Sequence, residues 1–206
     1  MSADRWELLD WRRRVAELYS RVRGRYATDP VAAHDLWRRG RDELFATHPC
    51  TPLPRSVRQG FGGLEVAAYD PAYAFVIEVD TEVTPRRFTV GSGTGEAFTY
   101  EVIGAVTLPV GRLEVLWLDD YAGGVFLPFA DATNGVETYG AGRYLLDTPK
   151  GADLGDDDQG RLVVDLNFAY HPSCTYDPAY SCPLPPPDNR LEVAVPVGER
   201  WRPGSP

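Results

Sequence analysis

Two stretches of the chain concentrate the residue types that could do chemistry. From Phe129 to Tyr144, Asp131, Thr133, Tyr139 and Arg143 stand among Gly135, Gly140 and Gly142. From Asp165 to Asn189 come Asp165, Asn167, His171, Cys174, Tyr176 and Cys182, and this stretch ends in the run Pro183-Leu184-Pro185-Pro186-Pro187. Glycine lets backbone approach a ligand closely, and proline leaves its neighbours little freedom. The planar fork of Arg143 suits a carboxylate or a phosphate. These features predict a pocket bordered by residues 129–144 and 165–189 that binds a small anionic molecule. Arg143 would pair the anionic group, and Tyr139, Asn167, Tyr176 and Asn189 would orient it. An internal reading stands beside this one, in which Arg143 pairs with Asp131 or Asp165 and pins a long loop.

Other chemistries find fewer residues. Asp165 or Asp131 could act as general base with Arg143 as electrostatic stabiliser, which would make a small hydrolase or isomerase. His171 adjoins Ser173 and Cys174, but the sequence holds no Gly-x-Ser-x-Gly elbow. Cys174 and Cys182, with His48 and Cys50, could complete a tetrahedral zinc set. No Cys-x-x-Cys pair supports that set, and two packed thiols are the plainer reading. Asp153 and Asp156-Asp157-Asp158 lack the alternation of an EF-hand and read as a hydrated loop. Gly91–Gly95 leads into an apparent strand, so it reads as a hairpin turn and not a phosphate cradle. No cofactor is specified.

The elements that must position these residues change character along the chain. Asp4 to Tyr26 shows apolar residues at spacings of three and four, with Gly24 as a plausible end. Asp29-Pro30 announces a second helix, which His48-Pro49 stops. From Leu64 the period becomes two. Strands are predicted over Leu64–Tyr69, Tyr73–Asp80, Arg87–Val90, Ala97–Ile103, Leu113–Leu118, Val125–Phe129, Arg143–Leu146, Leu162–Leu166 and Leu191–Val197. The fold class is mainly β with α (α+β): an antiparallel β-barrel-like or strongly curved sheet with two N-terminal helices packed on it. Residues 1–60 form the helical segment and 61–206 the β-rich body of a single structural domain, with a frayed tail after Trp201.

Charge narrows the partners. Residues 1–60 carry 12 arginines against 8 acids, and residues 61–206 carry 9 basic residues against 22 acids, for a net −9. An acidic body repels phosphate backbones, so nucleic acid is not an expected partner. No apolar run is long enough for a membrane helix, and Met1–Asp10 lacks the apolar core of a signal peptide. A cytoplasmic location with reduced cysteines is expected. The basic helices would dock on the acidic body or meet a partner, and in the latter case the chain is a structural or interaction module. The oligomeric state is left open.

Several of these residues also form longer patterns. Phe129-x-Asp131-x-Thr133-x-Gly135, Thr138-Tyr139-Gly140-x-Gly142-Arg143-Tyr144-Leu145, Asn167-x-Ala169-Tyr170-x-Pro172-x-Cys174-x-Tyr176 and Tyr180-x-Cys182-Pro183-Leu184-Pro185-Pro186 through Asn189 resemble the bacterial family called domain of unknown function 1684. Weaker similarity covers the helical start, the turn from His48 to Pro54, and Phe61-x-Gly63-Leu64. The resemblance implies little about activity, because the family's biochemistry is unassigned. It extends to Cys174 and Cys182 but not to Cys50, and His171 stands where the family pattern has asparagine. Tyr139, Arg143, Asp165, Asn167, Tyr176 and Asn189 are the candidates it leaves in place.

Overall fold

The computed structural model describes residues 5–119 and 122–201. The expectations for Asp4 and for the tail beyond Trp201 lie outside those residues. Helix α1 (Arg5–Tyr26) buries Leu18, Tyr19 and Val22 and leaves most of its arginines toward solvent. It runs through Gly24 to Tyr26, the limit of the helical period in the sequence. A glycine inside a helix costs only about 0.5–1 kcal/mol relative to alanine. The last turn is held by Tyr26, whose hydroxyl donates to Asp165 at 2.9 Å. Helix α2 (Pro30–Thr47) starts as expected, with the Asp29 carboxylate accepting from the Ala32 N–H at 3.0 Å and Pro30 in the first turn. A short helix α3 (Arg55–Arg58) follows.

The strands form two open antiparallel sheets. Strands β2 (Arg87–Gly91), β3 (Ala97–Leu108), β4 (Gly111–Leu118), β5 (Gly124–Phe129) and β6 (Arg143–Asp147) run in sequence order as a five-stranded meander. Strands β1 (Ala74–Ile77) and β7 (Leu162–Asp165) pair separately. The sheet order runs from β2 at one edge to β6 at the other, so the fold is α+β without a closed barrel. Gly91–Gly95 forms the expected hairpin, closed by Ser92 N–H donating to the Glu96 carbonyl at 2.7 Å. At Gly104 the β3–β4 register shifts, and a Cβ there would lie 2.7 Å from Val79 and 3.1 Å from the Asp80 carbonyl. The segment after β1 therefore crosses β3 where the side chain is missing.

Two predicted strands are absent. In 64–69 only Val66 makes a bridge, to Glu199, and residues 191–197 join no sheet. Their alternation is real, but over 191–197 only Leu191 and Val193 meet neighbouring backbone, at Ala130 and Ala132, and side chains occupy the backbone at Val195 and Val197. The largest core cluster joins Val22 and Trp37 of the helices to Leu127, Leu145, Val164 and Phe168 of the body. Trp37 is fully buried, donates to the Tyr19 hydroxyl at 3.1 Å and meets the edge of Phe168. Among the described residues no helix is long and apolar enough to cross a membrane.

Candidate functional site

Arg143 opens β6 and points inward. It is 1% exposed and stacks over the Phe129 ring at 5.1 Å. One terminal nitrogen donates to Asp131 at 2.7 Å and to the Val195 carbonyl at 2.9 Å; the other donates to the Val197 carbonyl. Asp131 is also occupied. Its other oxygen accepts from the Thr133 N–H at 2.8 Å, the Thr133 hydroxyl at 2.6 Å and the Val195 N–H at 3.3 Å. A stretch without a ladder partner must satisfy its buried peptide groups some other way. The guanidinium and its carboxylate do this for Val195 and Val197, while the Val193 carbonyl accepts from the Ala132 N–H at 3.2 Å. Arg143 is thus an internal tie, which matches the second sequence reading and corrects the expectation that it borders a ligand pocket.

Asp165, Asn167 and Asn189 behave alike. Asp165 is fully buried; one oxygen accepts from Tyr26 (2.9 Å) and Tyr69 (3.0 Å), the other from the Asn167 backbone and side-chain amides (2.9 and 2.8 Å). Burial raises its pKa against those hydrogen bonds. A raised carboxylate pKa is one half of what a general base needs, but access to a cleft is the other half. All the donors around Asp165 come from the protein, and it lines none of the larger cavities. Asn167 exchanges 2.8 Å bonds with the backbone N–H and carbonyl of Asp70. Asn189 does the same with Glu114, at 2.9 Å each way, and also donates to the Pro128 carbonyl at 2.8 Å.

One of several clefts among the described residues lies to one side of this network. It has a volume of about 460 Å³. One wall is α3 with the glycine-rich run through Gly60, Phe61, Gly62, Gly63 and Leu64; the other is His171, Tyr176, Glu199, Arg200 and Trp201. Gly63 has a φ of +111°, which glycine adopts readily, and the Leu64 N–H donates to Asp42 at 2.7 Å. These two features fix the glycine-rich wall against α2.

Glu199 and His171 in the cleft wall belong to a buried charge cluster. Arg41 donates to Glu199 at 2.6 Å and lies over the rings of Trp37, Phe45 and Tyr170 at 4.9–5.2 Å. Glu199 is also buried and accepts from the His171 N–H at 3.0 Å. Burial would raise the Glu199 pKa, but Arg41 and His171 outweigh it and hold the carboxyl below its usual range. Burial lowers the pKa of His171, although Glu199 opposes it. The Tyr139 N–H donates to His171 Nε2 at 3.2 Å, so that nitrogen is the acceptor and the proton sits on Nδ1, 3.7 Å from Glu199. Both ring nitrogens are engaged by the protein, which leaves His171 without a free lone pair for general-base work.

Tyr176 carries a buried unpartnered atom, as do Thr175 at its hydroxyl and Arg41 and Arg143 at Nε. Its ring packs edge-on to Phe45 at 5.1 Å and lines the cleft, yet its hydroxyl is buried with no hydrogen-bond partner. Tyr139 is half-buried and stacks edge-on against Trp201 at 5.9 Å, just behind the cleft wall. Of the five residues expected to bind a ligand, the structure therefore brings Tyr176 into the cleft wall and Tyr139 behind it. Arg143, Asn167 and Asn189 are internal ties.

Cys174 and Cys182 are neighbours, with the Cys174 N–H donating to Cys182 Sγ at 3.3 Å. Among the described residues no group of three or more His, Cys, Asp or Glu is placed to hold a metal ion. The zinc set of His48, Cys50, Cys174 and Cys182 is not assembled, and His48 instead contacts Asp10 at 3.1 Å. Asp157 caps its own turn through the Gln159 and Arg161 N–H groups, at 2.9 Å each.

Sequence reasoning missed Arg41, Arg200, Trp201 and the 60–64 wall. The signal that could have found the wall was Phe61-x-Gly63-Leu64. For Arg41 and Trp201 there was none, since one lies in an arginine-rich helix and the other near the chain end.

The comparisons with known proteins agree with the sequence resemblance. The model of a family described as protein of unknown function (DUF1684) matches residues 59–200. The solution NMR structure of an uncharacterized protein from Haloarcula marismortui is 32% identical, with a TM-score of 0.55, covering 80% of this chain and 90% of that one. A search of curated proteins found no match.

Proposed function

Since the chain belongs to the family of proteins of unknown function DUF1684, with most of the cleft inside the matched residues, we propose that it binds a small organic acid in that cleft. The observation that carries this reading is the Tyr176 hydroxyl, buried without a partner in the cleft wall. Leaving such a group unsatisfied costs about 1–3 kcal/mol, and a bound acid toward which the Tyr176 ring tips recovers it. The volume suits a small molecule. Phe61 and Trp201 offer ring faces, and Val57 and Leu64 apolar contact. Arg200 supplies the charge. It pairs with Glu137, whose side chain is 48% exposed, and such a surface pair is weak enough for a ligand carboxylate to replace. Glu199 does not repel the acid, because Arg41 already neutralises it. The expectation of an anionic ligand is kept, with Arg200 in the role first given to Arg143. Three cysteines outside any disulfide fit a cytoplasmic setting.

A thermal-shift screen of small aliphatic and aromatic carboxylates tests the reading. At least one acid raises the Tm of the wild type, and the rise is lost in Arg200→Ala and reduced in Tyr176→Phe. If no acid shifts the wild type, or if both variants respond as the wild type does, the cleft does not bind this class.

A further inference from the structure

Beside the cleft, and independently of any ligand in it, the segment after the short turn Ser173–Thr175 brings two thiols together. We infer that Cys174 and Cys182 form a dithiol that hydrogen peroxide oxidises to a disulfide, closing the loop 175–181 onto the body. The two thiols hydrogen-bond to each other, and the Cys174 N–H donates to Cys182 Sγ at 3.3 Å. Both ends of the loop are anchored. On the Cys174 side, the Tyr139 hydroxyl hydrogen-bonds the thiol and the Tyr139 N–H is held by His171. On the Cys182 side, the Tyr144 hydroxyl donates to the Pro183 carbonyl and Tyr100 to the Leu184 carbonyl. Pro178, Ala179 and Tyr180 between them are exposed, so the loop can adjust while its ends stay in place.

The two sulfurs are not equivalent. The hydrogen bond from the Cys174 thiol, followed by the Cys174 N–H and Lys150, outweighs burial and lowers Cys182 to about 7. The same bond raises Cys174. Cys182 thus gives up its proton more readily than Cys174, the asymmetry that a reactive and a resolving cysteine require. Cys182 is only 5% exposed, which favours an oxidant as small as peroxide over a bulky disulfide.

The chemistry balances in two steps. The Cys182 thiolate attacks one peroxide oxygen, the O–O bond breaks, and the departing hydroxide becomes water by taking back from solvent the proton that Cys182 had released, leaving a sulfenic acid. The Cys174 sulfur then attacks Cys182, the S–O bond breaks, and the hydroxide leaves with the Cys174 proton as a second water. The dithiol loses two electrons, and one peroxide becomes two waters.

Both cysteines lie in one tryptic peptide, Leu162–Arg190, and Cys50 lies in another, Asp42–Arg55. The full chain is titrated with hydrogen peroxide, alkylated with iodoacetamide, digested and weighed. The expected result is a Leu162–Arg190 peptide lighter by two hydrogens and unalkylated, returning to the doubly alkylated form after dithiothreitol. Cys50 stays alkylated throughout. In Cys174→Ser the sulfenic acid has no resolving thiol, and dimedone marks Cys182. The inference is overturned if wild-type Leu162–Arg190 stays doubly alkylated at peroxide levels that oxidise free cysteine. It is equally overturned if Cys182 proceeds to sulfinic acid without the mass loss, or if dimedone marks Cys50 and spares Cys182. The readout is a mass, so it stands whether or not an acid binds in the cleft.

Discussion

Arg41 and Glu199 meet at 2.6 Å across 158 positions of sequence, and both are largely removed from water. This contact ties α2 to the last described stretch of the chain, behind the Glu199 wall of the cleft. Breaking a buried pair by removing one partner costs about 3–5 kcal/mol, because a charge is left buried alone. Arg41→Met and Glu199→Gln should each lower the unfolding free energy by about that amount in urea titrations. The double variant should lose less than the sum, as coupled neighbours do. Additive losses would show that the two side chains act separately.

Arg143→Met should destabilise the chain by about 3 kcal/mol or more, since Asp131 and the Val195 and Val197 carbonyls all lose a buried donor. Arg143→Lys should recover only part of the loss. A lysine ammonium cannot reproduce a planar fork directed at a carboxylate and two carbonyls. The lysine variant, where folded, should keep the wild-type response to any acid that binds the cleft. Loss of that response in folded protein would return Arg143 to the binding site.

Tyr176→Phe should raise the stability of the ligand-free protein by about 1 kcal/mol, because it removes a buried hydroxyl with no partner. The same change should weaken the response to an acid. A destabilised variant in denaturant titration would mean that the hydroxyl is satisfied in solution by water.

Stability should fall on acidification below about pH 6.5, the usual histidine value. Burial lowers both His34 and His171 in the folded chain. Between that value and the lower folded values the unfolded chain binds more protons, so stability is full above the window and is lost as pH falls through it. The Tm measured from about pH 8 to 5 should show this decline, and His34→Asn with His171→Asn should flatten it. An unchanged slope in the double variant would assign the decline to carboxylates.

Local chemistry made a large part of the fold legible. The Asp29-Pro30 start of α2, the helical period of α1 and the Gly91–Gly95 hairpin depend on residues a few positions apart, and all three are present. Alternation located seven strands for the same reason. It failed over 191–197 because alternation reports which side chains are buried, not what satisfies the peptide groups. There the backbone at Ala130 and Ala132 meets only Leu191 and Val193, and Arg143 and Asp131 take the place of a neighbouring strand at Val195 and Val197.

The site divides along the same line. By itself the sequence determined that polar, aromatic, glycine and proline residues would be dense between Phe129 and Asn189, and that Tyr176 belonged to that set. It could not distinguish a pocket from an internal network, because an arginine recognising a ligand and one tying down a loop are the same residue. Only the tertiary structure decided that Arg143, Asn167 and Asn189 spend their hydrogen bonds on the protein. It also decided that a cleft opens where residues near 60, 176 and 200 converge. The physical reason is desolvation: a buried polar group must find a partner, and whether that partner is backbone or ligand depends on which distant segments the folded chain brings within 3 Å or so.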